Sequence, residues 1–552
     1  MSKMISSLQN VRKQYSPKLP PALKKGACVN VTKGNPLPAF ADAEKIASLF
    51  PTTSNMPDLK FSSLDNATQG KPVNVAVILS GGQAPGGHNV IAGIYDGIKS
   101  INPASKMYGF KGGPSGLVDN NYVEITDDFM DEYRNTGGFD MIGSGRTKLE
   151  KIEQFEKGAK NCIALNISAL VIIGGDDSNT NACLLAEYYK ANNIPIQVIG
   201  CPKTIDGDLK NKFIETSFGF DTASKVYSEL IGNIARDANS AKKYWHFIKL
   251  MGRSASHITL ECALKTHVNF AIISEEVEAK KETLSGIVND IASAVAKRAE
   301  NKENFGVVLI PEGLIEFIPE VKVLIGELND VLATDGEQYS AIEKPEDKIA
   351  FILNKLSKNS ANVYAQFPMT IQLQLTMDRD PHGNVQVSQI ETEKLLAQLV
   401  SKRLSAMKKD GKYIGSFGYQ THFFGYEGRC AAPSNFDADY CYSLGFNAAA
   451  IIAMGATAYM SYIGNLSKTT DEWTAGAVPL TAMMNIERRH GEDKPVIKKA
   501  LVELDATPFL EFSEKRATWA IETSFVYPGP IQYFGPSEVC DAKTETIILE
   551  HK

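Results

Sequence analysis

The sequence predicts an α/β fold made of two parallel-sheet, three-layer lobes with an inserted helical subdomain. Strands alternate with helices from Val73 to about Ala235, which is typical of a parallel sheet covered on both faces. A second set of strands follows at residues 245–251, 268–273 and 305–310. The stretch between Gly313 and Gly425 is too long for a loop and therefore predicts the inserted subdomain.

The same patterns predict the domain boundaries. Helical periodicity within the insertion is clearest around residues 319–332, 342–356 and 389–409. Residues 1–70 are rich in Pro, Ser, Asn and Lys and have few regular patterns, so we expect an N-terminal extension there. The expected lobes are a large one over 71–240 with 440–552, and a small one over 241–439 with the insertion at about 315–410.

Composition excludes several classes of protein. At 552 residues, with 43% hydrophobic and 22% charged residues, the chain can bury two or more cores. The net charge of −6 gives no support to nucleic-acid binding. No run approaches the roughly 18 apolar residues of a membrane span, and the N-terminus has no apolar segment typical of a secretory signal. The eight cysteines form no CxxC pair and are expected to be reduced thiols of a cytoplasmic protein.

The first chemical motif follows the buried strand expected over Ala169–Ile173. Gly174-Gly175-Asp176-Asp177-Ser178 stands at its carboxyl end, and a helix is expected over Ser178–Lys190. Glycines let the backbone approach a phosphate closely, and a helix N-terminus offers free N–H groups and the positive end of the helix dipole. A carboxylate beside them suits Mg²⁺. A purely structural Gly-Gly-Asp turn is the alternative.

Two further strands end in loops of the same kind. The strand over Val73–Leu79 runs into Ser80–Asn89, and a helix is expected from about Gly87 to Ile98. This loop is neither a dinucleotide fingerprint nor a Walker loop, since no Gly-Lys-Ser/Thr follows. The strand over Ile196–Cys201 runs into Pro202–Asp208, which places a lysine, a hydroxyl and two carboxylates on one loop.

With these three loops, the chain resembles the phosphofructokinase family over roughly Val73 to Leu510. Three more motifs stand in the order that this family uses for the sugar phosphate: Met251-Gly252-Arg253, Pro311-Glu312-Gly313 and Tyr426-Glu427-Gly428-Arg429. Gly-Gly-Asp-Asp-Ser and Pro-Lys-Thr-Ile-Asp resemble the long, plant-like branch that takes pyrophosphate. The resemblance implies two Rossmann-like lobes, a large one that binds pyrophosphate and Mg²⁺ and a small one that binds fructose 6-phosphate.

The resemblance also implies catalytic and donor-binding roles. Phosphoryl transfer mainly needs alignment and charge neutralisation. Asp206 would be the base that accepts the proton of the acceptor hydroxyl, while Asp208 would orient the loop or assist the metal. From the residues alone, an Asx turn at Asp206-Gly207-Asp208 and a surface ion pair for Arg146 are the alternatives. The residues expected to hold the diphosphate are Gly82, Arg146 and Lys203, with Asp176 holding Mg²⁺.

Asp177 and Lys203 indicate the donor, and both are expected to be catalytic. The ATP-using branch that the chain resembles less has glycine at both positions. A carboxylate in place of glycine beside the α-phosphate of a nucleotide adds bulk and like-charge repulsion, which disfavours ATP. Lys203 supplies charge to a small anionic donor that has no adenosine to anchor it. A structural salt bridge between the two residues is the alternative.

The residues that the resemblance assigns to fructose 6-phosphate come from several segments. They are Thr204, Ile205, Asp206 and Asp208; Met251, Gly252, Arg253 and Glu312; Tyr426, Glu427, Gly428 and Arg429; and Lys243 with Tyr244. In the family the last two positions reach across from a neighbouring subunit, which implies a homodimer or larger oligomer with sites near subunit interfaces. Two departures from the bacterial ATP-using pattern affect the 6-phosphate: Gln420–Phe424 lacks an arginine, and Tyr426 replaces a histidine.

The sequence therefore predicts reversible transfer of a phosphoryl group from Mg²⁺-pyrophosphate to fructose 6-phosphate. Three alternatives remain open. An ATP-dependent kinase of the same fold would need room where Asp177 sits. A Gly-Gly-Asp kinase acting on NAD or a lipid would lack the Pro-Lys-Thr-Ile-Asp-Gly-Asp and Met-Gly-Arg motifs. A non-catalytic regulatory subunit would have a decayed catalytic loop, whereas Asp176, Lys203, Asp206 and Arg253 are all present.

Overall fold

The computed structural model describes residues 7–65, 70–377, 389–489, 492–531 and 543–552. Over these residues the chain divides into two compact units. Unit 1 takes the described residues within Met1–Ala223, Tyr426–Ala500 and Ile531–His551. Unit 2 takes those within Ser224–Gly425 and Leu501–Pro530, with Lys552.

Strands and helices alternate through most of the described chain. The strands are β1 (Val29–Pro36), β2 (Pro57–Ser63), β3 (Asn74–Leu79), β4 (Lys106–Phe110), β5 (Tyr122–Ile125), β6 (Ala169–Gly174), β7 (Gln197–Thr204), β8 (Phe218–Gly219), β9 (Tyr244–Leu250), β10 (Phe270–Ala271), β11 (Gly306–Pro311), β12 (Gly418–Phe424), β13 (Tyr459–Gly464), β14 (Thr474–Pro479), β15 (Met484–Arg489) and β16 (Glu492–Ile497). The α-helices are α1 (Ser7–Lys13), α2 (Ala43–Leu49), α3 (Gly87–Ile101), α4 (Pro114–Val118), α5 (Asp127–Tyr133), α6 (Ile152–Ala164), α7 (Asp176–Ala191), α8 (Phe220–Ala241), α9 (His257–Thr266), α10 (Ser274–Lys280), α11 (Leu284–Glu300), α12 (Leu314–Phe317), α13 (Pro319–Ser340), α14 (Pro345–Lys355), α15 (Lys358–Ala365), α16 (Met369–Gln374), α17 (Thr392–Lys409), α18 (Tyr426–Arg429), α19 (Asn435–Ala453), α20 (Thr507–Ile521) and α21 (Glu545–Glu550). No helix in the described ranges is both long and apolar enough to cross a lipid bilayer.

The sheet of unit 1 has a parallel centre and antiparallel edges. Its strand order is β1-β2-β14-β13-β7-β6-β3-β4-β5, and β8 pairs with the end of β7. The strands from β13 to β4 in this order run parallel, and β14, β2, β1 and β5 complete the edges in antiparallel pairs. β6 is buried along its whole length, as expected for an apolar strand covered on both faces. The predicted α/β fold with parallel sheets is therefore confirmed.

The N-terminal segment differs from the expected extension, because it adds two strands to this sheet. β1 pairs with β2, and β2 pairs with β14 through Leu59 and Lys60. Leu59 and Phe61 are buried while the residue between them is exposed, which is the alternation of an antiparallel strand with one covered face. β1 is mostly exposed, so its sequence carries little apolar signal.

The sheet of unit 2 is smaller and entirely parallel, with the order β10-β11-β9-β12. The helices predicted in the insertion are present as α13, α14 and α17, and α15 and α16 lie between them. Apolar side chains from these helices form one core with α11 and with β9 and β11. This shared core explains why the long stretch between Gly313 and Gly425 forms a packed helical subdomain and not a loop.

The unit boundaries differ from the expected lobe boundaries in three places. The first boundary falls within α8, after Ala223, and the second falls after Gly425. Residues 501–530 belong to unit 2, although the sequence interpretation grouped them with the large lobe. The physical reason is α20, whose Trp519 ring stacks on His267 with centroids 4.3 Å apart and whose Trp519 carbonyl accepts a hydrogen bond from Asn269.

Two glycines bring α3 and α19 into close contact within unit 1. A Cβ on Gly93 of α3 would lie 2.1 Å from the Tyr442 carbonyl oxygen, and a Cβ on Gly445 of α19 would lie 2.0 Å from the Val90 carbonyl oxygen. Backbone atoms cannot yield by this much, so only glycine fits at either position. The contact fixes α3, whose N-terminus directly follows the loop after β3.

Candidate active site

The carboxyl ends of β3, β6 and β7 meet at one edge of the unit 1 sheet, because these neighbouring strands are parallel. Each strand runs directly into one of the three motifs. β7 extends to Thr204 rather than Cys201, so Lys203 and Thr204 are held by pairing with β8. α7 begins at Asp176 rather than Ser178, so both aspartates of the motif lie in its first turn. Regular backbone therefore positions these side chains.

Two glycines after β3 leave room for cationic side chains. Gly81 has a left-handed backbone, with φ of 85°, and its N–H donates at 2.9 Å to the carbonyl that precedes Arg146. A Cβ on Gly81 would lie 3.3 Å from Lys203 Nζ. A Cβ on Gly82 would lie 2.5 Å from Arg429 Nη1 and 3.7 Å from Arg146 Nη2. The glycines therefore allow three cations to converge beside the loop.

Lys203 is the buried cation of this group, with 5% of its surface exposed. Burial, followed by the charge of Arg429, lowers the pKa of Lys203 to about 8, while Asp206, Asp176 and Asp208 act in the opposite direction. The side chain is therefore mostly an ammonium at pH 7. A cation held in this way, next to another cation, is suited to bind a small anion.

Three carboxylates stand opposite these cations. Asp206 Oδ1 lies 3.6 Å from Arg429 Nη2, and Asp176 Oδ2 lies 3.4 Å from Lys499 Nζ. Both oxygens are buried and accept no hydrogen bond from the described part of the chain. Asp208 is 6% exposed, and burial, then the charges of Asp206 and Asp176, raise the pKa of Asp208 to about 7. The cluster therefore holds negative charge that is only partly compensated.

The backbone of the catalytic loop is braced from within. The Asp206 N–H donates to Thr204 Oγ1 at 3.0 Å, and Gly207 has φ of 76°. Ile205 is fully buried, and its side chain packs beside Gly219, where a Cβ would lie 3.3 Å from Ile205 Cγ2. The Ala500 N–H donates to the Asp208 carbonyl at 2.7 Å and holds the end of the loop.

Asp177 is half-buried in the first turn of α7. Negative charge at a helix N-terminus is favourable, which makes two adjacent aspartates tolerable there. Gly175, immediately before the helix, lies against β7, since a Cβ on it would be 3.3 Å from the Lys203 carbonyl oxygen. The two positions that were predicted to select the donor are therefore carried by adjoining backbone segments.

The carboxylates offer oxygen donors of the kind that bind a hard divalent cation. Among the described residues, no group of three or more His, Cys, Asp or Glu side chains is arranged to hold a metal ion. Hard divalent cations in phosphoryl-transfer sites are usually held by one or two carboxylates, with substrate phosphate and water completing the shell. The buried Asp176 Oδ2, which accepts no hydrogen bond within the described ranges, is an oxygen donor of this kind.

In unit 2, two of the predicted motifs form one structure. The Gly252 N–H donates to Glu312 Oε2 at 2.9 Å, and Glu312 is only 2% exposed. Gly252 has φ of 127°, and a Cβ on Gly313 would lie 1.9 Å from the Arg253 carbonyl oxygen. Met251 is buried, whereas Arg253 is exposed. The turn after β9 and the turn after β11 therefore present Arg253 from a rigid base.

The remaining predicted residues differ in exposure. Lys243 and Tyr244 lie at the exposed start of β9, and Tyr426 is 68% exposed, with Glu427 exposed beside it. Gly428 is buried. Arg429, which was assigned to the sugar 6-phosphate, donates to the Gln83 carbonyl at 3.2 Å and faces Asp206. In this structure its guanidinium therefore lies with the donor-side loops.

Sequence reasoning did not include Lys499 in the site. This residue follows β16 and belongs to no motif near the three loops in the sequence. A lysine that follows a short strand does not by itself predict a binding site, because most such lysines are solvated. Only the folded chain shows that its ammonium reaches Asp176.

The chain matches the family model described as phosphofructokinase over residues 74–452. It is 57% identical over 545 residues to a pyrophosphate–fructose 6-phosphate 1-phosphotransferase of Porphyromonas gingivalis, covering 99% of both chains. It is 54% identical over 558 residues to the protein of the same name from Treponema pallidum, covering 99% of this chain and 97% of that one. For the Solanum tuberosum protein named as the beta subunit, identity is 50% over 547 residues, covering 99% and 94%.

Solved structures show the same fold at low identity. A pyrophosphate-dependent phosphofructokinase from Nitrosospira multiformis aligns with a TM-score of 0.55 at 16% identity, covering 87% of this chain and 97% of that one. One from Marinobacter aquaeolei aligns with a TM-score of 0.51 at 16% identity, covering 82% and 93%.

The carboxylate cluster predicts a pH-dependent effect of Asp208→Asn on stability. Because the pKa of Asp208 is raised from 3.8 to about 7 in the folded chain, its contribution to stability is greatest below pH 3.8 and is lost as the pH rises towards 7. Asparagine stays neutral, so the variant should gain stability relative to wild type as the pH rises, by at most about 4 kcal/mol. We expect its melting temperature to exceed the wild-type value by more at pH 8 than at pH 5.5.

The measurement is thermal unfolding at both pH values without ligands. Asp119→Asn, at an exposed carboxylate of the same unit, is the control and should show no such trend. A Tm difference for Asp208→Asn that does not grow between pH 5.5 and pH 8 would contradict the prediction.

Proposed function

Because the chain belongs to the phosphofructokinase family, we propose that it transfers a phosphoryl group from pyrophosphate to the 1-hydroxyl of fructose 6-phosphate. The products are fructose 1,6-bisphosphate and phosphate, and the reaction runs in both directions because the bond energies on its two sides are similar. The observation that carries the proposal is the buried Lys203 ammonium beside Gly81, in a chain whose near full-length relatives are named for this reaction.

Pyrophosphate suits the cations of unit 1. It is small and highly anionic, and it has no nucleoside through which it can be anchored. Lys203, Arg146 and the backbone at Gly82 would hold it, and fixed charges in a water-poor site also stabilise the charge that develops during transfer. Lys203 is held by strand pairing and burial, so its position needs little reorganisation when the donor binds.

Mg²⁺ is proposed as the metal ion, with Asp176 holding it on the protein side. When bound, it would neutralise part of the diphosphate charge. Asp208, between two other carboxylates, would orient the loop and raise the negative potential that attracts the ion.

Asp206 is proposed as the general base. Its N–H is bonded to Thr204 Oγ1, and Arg429 Nη2 lies 3.6 Å from one of its carboxylate oxygens. Asp206 would accept the proton of the 1-hydroxyl as that oxygen attacks the transferred phosphorus. Thr204 would contact the donor-side edge of the sugar. Ile205 is proposed to take part as the residue of the loop between Thr204 and Asp206.

Asp177 is proposed to exclude nucleotides. Its carboxylate stands in the first turn of α7, where a phosphate would otherwise meet the helix N-terminus. The Asp177 carboxylate would repel the α-phosphate of a nucleotide at that point. Pyrophosphate is shorter and would not extend as far as Asp177.

Fructose 6-phosphate is proposed to bind through Met251, Gly252, Arg253 and Glu312, with Tyr426–Arg429 and, from a neighbouring subunit, Lys243 and Tyr244. The exposed positions of Lys243, Tyr244 and Tyr426 in the single chain are consistent with contacts to ligand or to a second copy. The protein would accordingly work as a homodimer or larger oligomer. Reduced, mostly buried thiols are consistent with the cytoplasm.

The proposed function is tested by comparing donors. With purified protein, fructose 6-phosphate and Mg²⁺, pyrophosphate should exceed ATP in kcat/KM by on the order of 1,000-fold, which corresponds to about 4 kcal/mol. Formation of fructose 1,6-bisphosphate is the readout, and the reverse reaction with phosphate should also be observed. Comparable rates with the two donors would contradict donor choice, and no product with either would contradict the function itself.

Asp206→Asn should separate binding from catalysis. We expect kcat to fall by roughly 100- to 10,000-fold, because a positioned general base is lost, while fructose 6-phosphate binding measured by calorimetry is retained. Asp119→Asn serves as the control with normal turnover, since Asp119 is exposed. Near-normal turnover in a folded Asp206→Asn protein would remove Asp206 from the mechanism.

Asp177→Gly and Lys203→Met should have opposite effects on donor choice. Asp177→Gly removes the like charge, so activity with ATP should rise above the wild-type value. Lys203→Met keeps the buried stem but removes its charge, so pyrophosphate turnover should collapse without a gain for ATP. Because the two positions share one site, the double variant should depart from additivity in kcat/KM. If Asp177→Gly leaves ATP undetectable and pyrophosphate turnover little altered, Asp177 is not the excluding group.

A further inference from the structure

The segment from Ile497, the last residue of β16, to Ala500 is fixed to helix α7 and to the loop that carries Asp208. The Ile497 N–H donates to Thr180 Oγ1 on α7 at 2.9 Å, and the Ala500 N–H donates to the Asp208 carbonyl at 2.7 Å. Between these contacts, the Lys498 N–H donates to the Met483 carbonyl at 2.9 Å. The backbone on each side of Lys499 is therefore anchored, and its side chain starts from a defined point.

The Lys499 ammonium lies on the carboxylate proposed to hold the metal. Its Nζ is 3.4 Å from Asp176 Oδ2, and the two side chains are 30% and 20% exposed. Asp176 Oδ2 accepts no hydrogen bond from the described residues, so this ion pair is its visible compensation. The same ammonium also acts on Asp208, where its charge opposes the effect of the other carboxylates.

An ammonium and a divalent cation compete for one carboxylate oxygen, so the attraction of each for that oxygen is weaker when both are present. When the metal binds Asp176, Lys499 loses much of its attraction for that oxygen. Under the proposed function, the diphosphate would bring more negative charge to the site than the metal ion neutralises. A lysine has three donors on a flexible stem, so its head can turn to a neighbouring phosphate oxygen while its backbone stays fixed.

We propose that Lys499 is a further donor-binding residue that exchanges partners: its ammonium neutralises Asp176 in the empty site and binds the diphosphate once the metal–diphosphate complex occupies it. The inference rests on the proposed function. It adds a cation from outside the sequence motifs to the donor site. It also explains why this segment is held both by α7 and by the loop that carries Asp208, since the exchange requires the lysine to lie within reach of both partners.

The test uses Lys499→Met, which keeps the apolar stem and removes the charge, and Lys499→Arg, which keeps the charge. Lys498→Met is the matched control, because Lys498 is an exposed lysine of the same segment. Binding of Mn²⁺ alone to metal-free protein is measured by electron paramagnetic resonance. Binding of pyrophosphate in the presence of Mg²⁺, without sugar phosphate, is measured by calorimetry.

The exchange predicts effects of opposite sign in the two measurements. Lys499→Met should bind Mn²⁺ roughly 2- to 10-fold more tightly, because a competing cation has left Asp176. The same variant should bind Mg²⁺-pyrophosphate about 10- to 100-fold more weakly, because a charged hydrogen bond is lost. In steady state the KM for pyrophosphate should rise with little change in the KM for fructose 6-phosphate. Lys499→Arg should recover most of the pyrophosphate affinity, and Lys498→Met should match wild type.

Two outcomes would overturn the inference. Unchanged pyrophosphate binding in Lys499→Met would show that the lysine does not reach the donor. Weaker pyrophosphate binding without tighter Mn²⁺ binding would show that Lys499 does not compete at Asp176, so there is no exchange. Wild-type protein that neither binds nor uses pyrophosphate would instead contradict the proposed function.

Discussion

Repulsion among Asp176, Asp206 and Asp208 is the constraint on which the rest of unit 1 depends. Three carboxylates at the ends of neighbouring strands, one of them almost fully buried, raise the free energy of the folded chain unless cations offset them. Lys203, Arg429 and Lys499 provide that offset from three separate segments, yet two carboxylate oxygens still lack hydrogen bonds within the described chain. The folded protein therefore keeps partly compensated negative charge at this edge of the sheet.

The backbone around the cluster is built to make this charge tolerable. Asp176 and Asp177 open α7, where the helix dipole favours negative charge. Gly82 has no side chain where Arg429 and Arg146 approach, so the cations stand close without a clash. Farther away, the contact between α3 and α19 at Gly93 and Gly445 fixes the helix that follows this loop. At Gly93 and Gly445 the contact distances require glycine, because a Cβ would meet backbone atoms that cannot move aside.

The parts of the molecule that sequence reasoning found share a local signal. Apolar runs ending in glycines and carboxylates predicted β3, β6 and β7 and the three loops that follow them, because strand, loop and helix are adjacent in the chain. The roles of the site residues came from the resemblance to a family and stay predictions. The missed parts depend on contacts that local pattern does not encode. Lys499 meets Asp176 only through the fold, and β1 is an exposed edge strand with little apolar alternation. The local sequence of α20 does not show that Trp519 packs in unit 2 against His267.

The strand order of unit 1 has a consequence for biosynthesis. β7 lies in the middle of the sheet and pairs with β13, while Lys60 of β2 pairs with Gly476 of β14. Strands that leave the ribosome early must therefore wait for partners made much later, and such long-range closure is slow. A nascent chain that ends before Tyr459 presents one side of β7 with unpaired N–H and C=O groups, which can pair with other chains. The order of synthesis, more than the final packing, therefore determines when this protein is most prone to aggregate.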